Sequence, residues 1–118
     1  MILIRIATVS LALAFSASAL AGATGDIAKG KIKAQACTAC HGADGSHPTA
    51  DKMNPPPVIG GQYPDYLAKA LHDYKSGKRK NLIMGGQAKD LTEQDIADLT
   101  VYFGSLDPQI HDLSGHTR

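Results

Sequence analysis

The chain has 118 residues, with 12 Lys and Arg against 11 Asp and Glu and a formal charge of +1. This length predicts one domain, and the near-neutral charge excludes the basic footprint typical of non-specific nucleic-acid binding. Two cysteines are too few for a disulfide-rich scaffold, and no apolar stretch indicates a membrane span in the processed chain.

Residues 1–21 have the order of side chains typical of a secretory signal peptide. Arg5 provides a short basic n-region, Ile6 to Phe15 form an apolar h-region, and Ala19-Leu20-Ala21 fits the small-x-small cleavage rule. A buried N-terminal helix is the alternative. We expect cleavage after Ala21, or else after Ala19, which leaves equal numbers of basic and acidic side chains.

The first helix is predicted over residues 27–36, opening at Gly25-Asp26, where an acidic side chain suits the positive end of the helix dipole. Residues 42–62 are rich in Gly, Pro, Ser and Asp and predict irregular chain. Within them, Pro55-Pro56-Pro57 favours an extended backbone.

A second long helix is predicted over residues 64–76, with Pro64 in its first turn. Residues 77–90 are predicted to form a loop. The last helix is expected over residues 92–106, where Thr92 and Asp95 have the spacing of a weak capping box. No run alternates as a strand would, so we predict an all-α fold of three to four helices with long loops.

The sharpest motif is Cys37-x-x-Cys40-His41, the attachment pattern of c-type haem. Two thiols three residues apart on one helical turn can each add to a vinyl group of the porphyrin, and the next imidazole then lies under the iron. A thioredoxin-like pair would require a preceding strand and a βαβ pattern. The predicted export of the chain further favours haem attachment, because free thiols in an exported protein tend to oxidise.

A zinc site is the other alternative, and it would need two more ligands besides the cysteines. The candidates are the remaining histidines, His47, His72, His111 and His116.

We favour one covalent haem c per chain. A sixth iron ligand is then required, and Met53 and Met84 are the methionines outside the signal segment. A histidine ligand, an open site, or a Met that merely fills the core are alternatives.

In the order of its motifs, the chain resembles the small bacterial class I c-type cytochromes. These are single-haem periplasmic carriers of the c-553 type, and the halves of their two-haem relatives are similar. The resemblance covers residues 25–106 and rests on five segments, which are Gly25 to Lys31, Cys37 to Gly42, Pro57 to Gln62, Tyr66 to Arg79, and Met84 with Leu91 to Phe103. It implies the class I cytochrome c fold wrapped around one covalently bound haem.

The resemblance also implies roles for individual residues. Cys37 and Cys40 would hold the haem covalently, His41 would be the proximal iron ligand and Met84 the distal one, and the Pro57 carbonyl would accept a hydrogen bond from His41. A further contact is implied between Gly30 and Tyr102, where the first and last helices cross. Polar residues that would either reach the haem propionates or form an exposed loop are Tyr63, Tyr66, Arg79 and Asn81.

The implied function is one-electron transfer in the periplasm, without enzymatic activity. A quinol-oxidising complex or a dehydrogenase would be the donor, and a terminal oxidase or reductase the acceptor. The alternatives are a haem c electron-entry subunit of a periplasmic oxidoreductase complex and a five-coordinate haem enzyme or gas sensor.

The chain would divide into a signal peptide (1–21), a cytochrome c domain (22–106) and a polar tail (107–118). The basic run from Lys75 to Lys80 is either a solvated face or a field that orients docking.

Overall fold

The computed structural model describes residues 22–46 and 55–108. Within them the chain forms five helices and no strand, namely α1 (Ile27–Lys33), α2 (Gln35–His41), α3 (Pro64–Lys75), α4 (Leu82–Ala88) and α5 (Glu93–Gly104). The predicted all-α fold is confirmed. Predictions about the signal peptide, His47, Met53 and the histidines of the tail lie outside the described residues.

Helix α4 is the main departure from the sequence-based prediction, since residues 77–90 were expected to form a loop. Gly85 and Gly86 have low helix propensity and conceal the helix in the sequence. The Asn81 side chain caps its first turn, and Ala88 at its other end is completely buried. Capping and packing on α3 therefore outweigh the weak propensity of the segment.

The predicted first helix is divided at Ala34, which is completely buried between α1 and α2. The predicted capping box of the last helix is present. The Thr92 hydroxyl accepts a hydrogen bond from the Asp95 N–H at 3.1 Å, and the Asp95 carboxylate accepts one from the Thr92 N–H at 2.8 Å. Pro64 occupies the first turn of α3 as expected.

Helices α1 and α5 cross at Gly30, as the family resemblance implies. A Cβ atom on Gly30 would lie 2.1 Å from the Asp98 carbonyl oxygen and 2.7 Å from the Tyr102 Cβ. No side chain larger than hydrogen fits between these backbones, so glycine sets the distance between the two helices.

Polar bonds join the same two helices around the Asp98 carboxylate, which is completely buried. It accepts hydrogen bonds from the Lys33 ammonium at 2.7 Å, from the Asp26 N–H at 2.9 Å and from the Gln94 side chain at 2.8 Å. The bonds from Lys33 and Gln94 lower the pKa of Asp98 from 3.8 to about 2. This network ties the start and the end of α1 to the middle of α5.

The apolar core is small. Its buried cluster consists of Ala34, Leu67, Leu99, Tyr102 and Phe103, with Cys37, Ile59, Leu91 and Leu106 partly buried against it. The Tyr102 and Phe103 rings lie 5.2 Å apart in a tilted arrangement. Because α5 supplies three of the five buried side chains, it is the centre of the fold.

Acid should weaken the fold through Asp98. Its folded pKa lies below its unfolded value, so its contribution to stability is complete above about pH 4 and is lost as the pH falls towards 2. Asp98→Asn should lower the melting temperature at neutral pH and flatten its decline between pH 4 and 2, which circular dichroism can measure.

The matched control is Asp90→Asn, because the Asp90 side chain is 85% exposed and lies 3.8 Å from Lys89 in a surface ion pair. This variant should keep the pH profile of the unmodified protein. An Asp98→Asn profile with an equally steep acid decline would contradict the assignment.

Candidate functional site

The predicted site residues Cys37, Cys40, His41, Pro57 and Met84 all line one open cleft. It encloses about 1160 Å³ of space free of protein atoms, part of which is open to solvent. Its lining is mostly apolar and comes from α2, the 57–62 loop, α3, α4 and α5. The lining residues are Ala36, Cys37, Cys40, His41, Pro57, Val58, Ile59, Gln62, Tyr66, Leu67, Ala70, Leu71, Tyr74, Arg79, Ile83, Met84, Gln87, Leu99, Thr100 and Phe103.

His41 is the last residue of α2 and is only 6% exposed. Its Nδ1 lies 2.8 Å from the Pro57 carbonyl oxygen. Since a carbonyl oxygen can only accept, Nδ1 donates in this bond, and in the neutral imidazole Nε2 is then the nitrogen with a lone pair for a metal. The expected contact between Pro57 and His41 is therefore present in the structure.

The 57–62 loop reaches His41 because it is pinned to the turn that follows α2. The Gly45 carbonyl accepts hydrogen bonds from the Ile59 N–H at 2.8 Å and the Gly60 N–H at 3.0 Å. A Cβ atom on Gly60 would lie 2.1 Å from the Asp44 carbonyl oxygen, so the two loops approach as closely as glycine permits. These backbone contacts set the position of the Pro57 carbonyl.

The two cysteines lie on α2, line the cleft and form no disulfide with each other. Cys37 is half-buried against the core, and Cys40 is exposed. Burial raises the pKa of the Cys37 thiol. Both sulfurs are thus available at the edge of an apolar cleft beside His41, which is the arrangement that thioether attachment of a haem requires.

Met84 lines the same cleft from α4 and is half-buried. The sequence placed it in a loop, whereas the structure places it in the first turn of a helix, with its N–H donating to the Asn81 side chain at 2.9 Å. A thioether is a soft ligand suited to haem iron. The donor set of one imidazole, one thioether and two thiols in an apolar lining fits a covalently bound haem.

The described residues support neither a zinc site nor a thioredoxin-like cysteine pair. There the structure has no cluster of three or more His, Cys, Asp or Glu side chains able to hold a metal ion. His72 lies on α3 with its Nε2 3.4 Å from Glu93, and it does not line the cleft. A thioredoxin-like site would need strands, and residues 22–46 and 55–108 form none.

The four polar residues considered for the haem propionates separate into two pairs. Tyr66 and Arg79 line the cleft, whereas Tyr63 and Asn81 do not. The Arg79 guanidinium lies 4.9 Å from the centre of the Tyr74 ring, and its hydrogen bond with Tyr66 raises the pKa of Arg79. Sequence reasoning missed the capping role of Asn81, although an Asn three residues before Met84 is a recognisable N-cap signal.

In the described part of the chain, no helix has both the length and the apolar character needed to cross a bilayer.

Comparison with known proteins gives one consistent result. The family model for cytochrome c matches residues 27–107. Cytochrome c4 of Pseudomonas aeruginosa is 46% identical over 97 residues, which are 82% of this chain and 46% of that protein. The cytochrome subunit of sulfide dehydrogenase from Chlorobaculum tepidum is 36% identical over 83 residues, which are 70% of this chain and 71% of that protein.

A solved structure agrees. The crystal structure of reduced recombinant cytochrome c4 from Pseudomonas stutzeri superimposes with a TM-score of 0.61 at 35% identity, covering 71% of this chain and 47% of that one. The chain thus spans about half the length of the cytochrome c4 relatives it matches. Both the fold and the motifs around the cleft agree with the match of the family model, and the chain belongs to the cytochrome c family, as a class I c-type cytochrome.

Proposed function

We propose that this chain is a periplasmic one-electron carrier with a single haem c, bound covalently through Cys37 and Cys40 and ligated by His41 and Met84. The observation that carries the proposal is the shared cleft, which brings the Cys-x-x-Cys-His motif of α2 and Met84 of α4 into one apolar lining. When bound, the haem iron supplies a couple that exchanges one electron between Fe(III) and Fe(II).

The chain's own residues determine how such a couple behaves. His41 is held by its bond to Pro57 O, which fixes the ring and makes Nε2 the ligating nitrogen. Met84 supplies a thioether, which raises the reduction potential relative to two imidazoles. His41 and Met84 would hold the iron from two sides, and the pair would then leave no open position for a substrate. Electron transfer without enzymatic chemistry follows.

The partners proposed are redox proteins. A quinol-oxidising complex or a dehydrogenase would supply the electron, and a terminal oxidase or reductase would accept it. The alternative is a haem c electron-entry subunit of a periplasmic oxidoreductase complex. It is supported by the similarity to the cytochrome subunit of sulfide dehydrogenase, of which the chain covers 71%. Residues 1–21 would direct export, 22–106 would form the cytochrome domain, and 107–118 the tail.

An exposed surface at the mouth of the cleft suits transient docking. Leu82 is 94% exposed and Ile83 is 68% exposed, and Ile83 also lines the cleft. Lys78 and Lys80 precede them on exposed chain, and among the described residues neither takes part in an ion pair. An apolar contact flanked by two exposed lysines favours an acidic redox partner.

The haem should remain with the protein on acid–acetone extraction, because thioether bonds through Cys37 and Cys40 do not dissociate. The mass of the mature protein should exceed that of the apoprotein by one haem. Cys37→Ala combined with Cys40→Ala should abolish both properties. Colourless protein from the periplasm of a host competent in haem attachment would refute the proposal.

Met84→Ala should remove the weak near-infrared sulfur-to-iron band of the oxidised protein, lower the reduction potential and open the iron to carbon monoxide. The control is Met53→Ala, which should change none of these spectra. If Met53→Ala produced the effects instead, or if the unmodified protein bound carbon monoxide readily, the ligand assignment would be wrong.

Lys78→Glu combined with Lys80→Glu should lower the association rate with an acidic partner about tenfold at low ionic strength, with little change in potential. Stopped-flow kinetics at several salt concentrations measure this. The matched control is Lys29→Glu with Lys31→Glu, which changes the net charge equally on exposed positions of α1, away from the cleft lining. Equal rate losses in both double variants would contradict a localised docking surface.

A further inference from the structure

Helix α4, which carries Met84, is the weakest helix of the described chain by its own sequence. It has seven residues, and Gly85 and Gly86 occupy its interior. Helices this short are marginal without outside support, and glycine lowers helix propensity more than any residue except proline. The position of Met84 therefore depends on contacts that hold α4 in place.

Burial supports only the far end of α4. Ala88 is completely buried, whereas Leu82 and Ile83 at the other end are mostly exposed, and Asn81 is exposed as well. The backbone turn that presents Met84 to the cleft thus receives little support from packed side chains among the described residues.

A side-chain cap supports that turn instead. Asn81 has an extended backbone, and its side-chain oxygen accepts a hydrogen bond from the Met84 N–H at 2.9 Å. Its carbonyl oxygen accepts the first helical bond, from the Gly85 N–H at 2.8 Å. The donor satisfied by the cap is the backbone of Met84 itself, so the cap and the candidate ligand share one residue.

We propose that Asn81 is a positioning residue for the distal ligand. Its side-chain cap presets the backbone of Met84 for iron ligation, and loss of this cap favours the state in which the Met84 thioether has left the iron. This inference rests on the proposed ligation by Met84. It also gives Asn81 a role other than the propionate contact considered from the sequence.

Asn81→Ala tests the cap through the equilibrium binding of imidazole to the oxidised holoprotein. Imidazole binds only where Met84 has released the iron, so its apparent affinity reports the population of that state. Loss of an N-cap should increase the affinity roughly two- to thirtyfold. Asn81→Ser, which keeps a strong capping oxygen, should restore the original affinity, and the weaker cap in Asn81→Thr should give a smaller increase in affinity than Asn81→Ala.

Two further variants separate the cap from general stability. Gly86→Ala strengthens α4, because a Cβ atom there meets nothing within 4 Å, and it should weaken imidazole binding roughly two- to fivefold. Thr92→Ala removes a cap of the same kind from α5 and should lower the melting temperature without changing imidazole affinity.

Equal imidazole affinities in Asn81→Ala and Asn81→Ser would overturn the proposal. So would an increase in Thr92→Ala as large as that in Asn81→Ala, because release of Met84 would then follow global stability. Failure of the proposed ligation is distinguishable from both results, since the unmodified oxidised protein would then lack the near-infrared sulfur-to-iron band.

Discussion

The close crossing of α1 and α5 is the constraint on which the rest of this structure depends. Gly30 allows the two backbones to meet, and the buried Asp98 carboxylate bonds to the start and the end of α1 from the middle of α5. Because α2 follows α1 directly through the buried Ala34, this crossing also sets the position of the Cys-x-x-Cys-His segment. The other face of α5 contributes Leu99 and Phe103 to the cleft.

The two proposed axial ligands are held in different ways. His41 is nearly buried, and its ring is bonded to a loop that is itself pinned by two backbone hydrogen bonds to Gly45. Met84 lies on a short helix with an exposed first turn and a single side-chain cap. On the proposed ligation, this asymmetry predicts a rigid proximal side and a distal side that opens more readily.

The small core has a related consequence. Five buried side chains form its central cluster, and the cleft beside them is lined by further apolar groups, such as Ala70, Leu71 and Ile83. A flat apolar group held by two thioether bonds would complete this core, which agrees with the covalent haem that the family carries.

The sequence by itself determined the helical class, the start of α3 and of α5, and the haem-attachment motif, because these depend on local spacing, on Pro64, and on the capping box of Thr92 and Asp95. The order of the motifs along the chain was also sufficient to identify the family. It did not disclose α4, because Gly85 and Gly86 hide a helix that exists only through the Asn81 cap and packing on α3. Nor could it place Tyr66 and Arg79 in the cleft and Asn81 outside its lining, or show that the Asp98 carboxylate is buried. Those outcomes depend on contacts between residues distant in sequence, which only the tertiary structure decides.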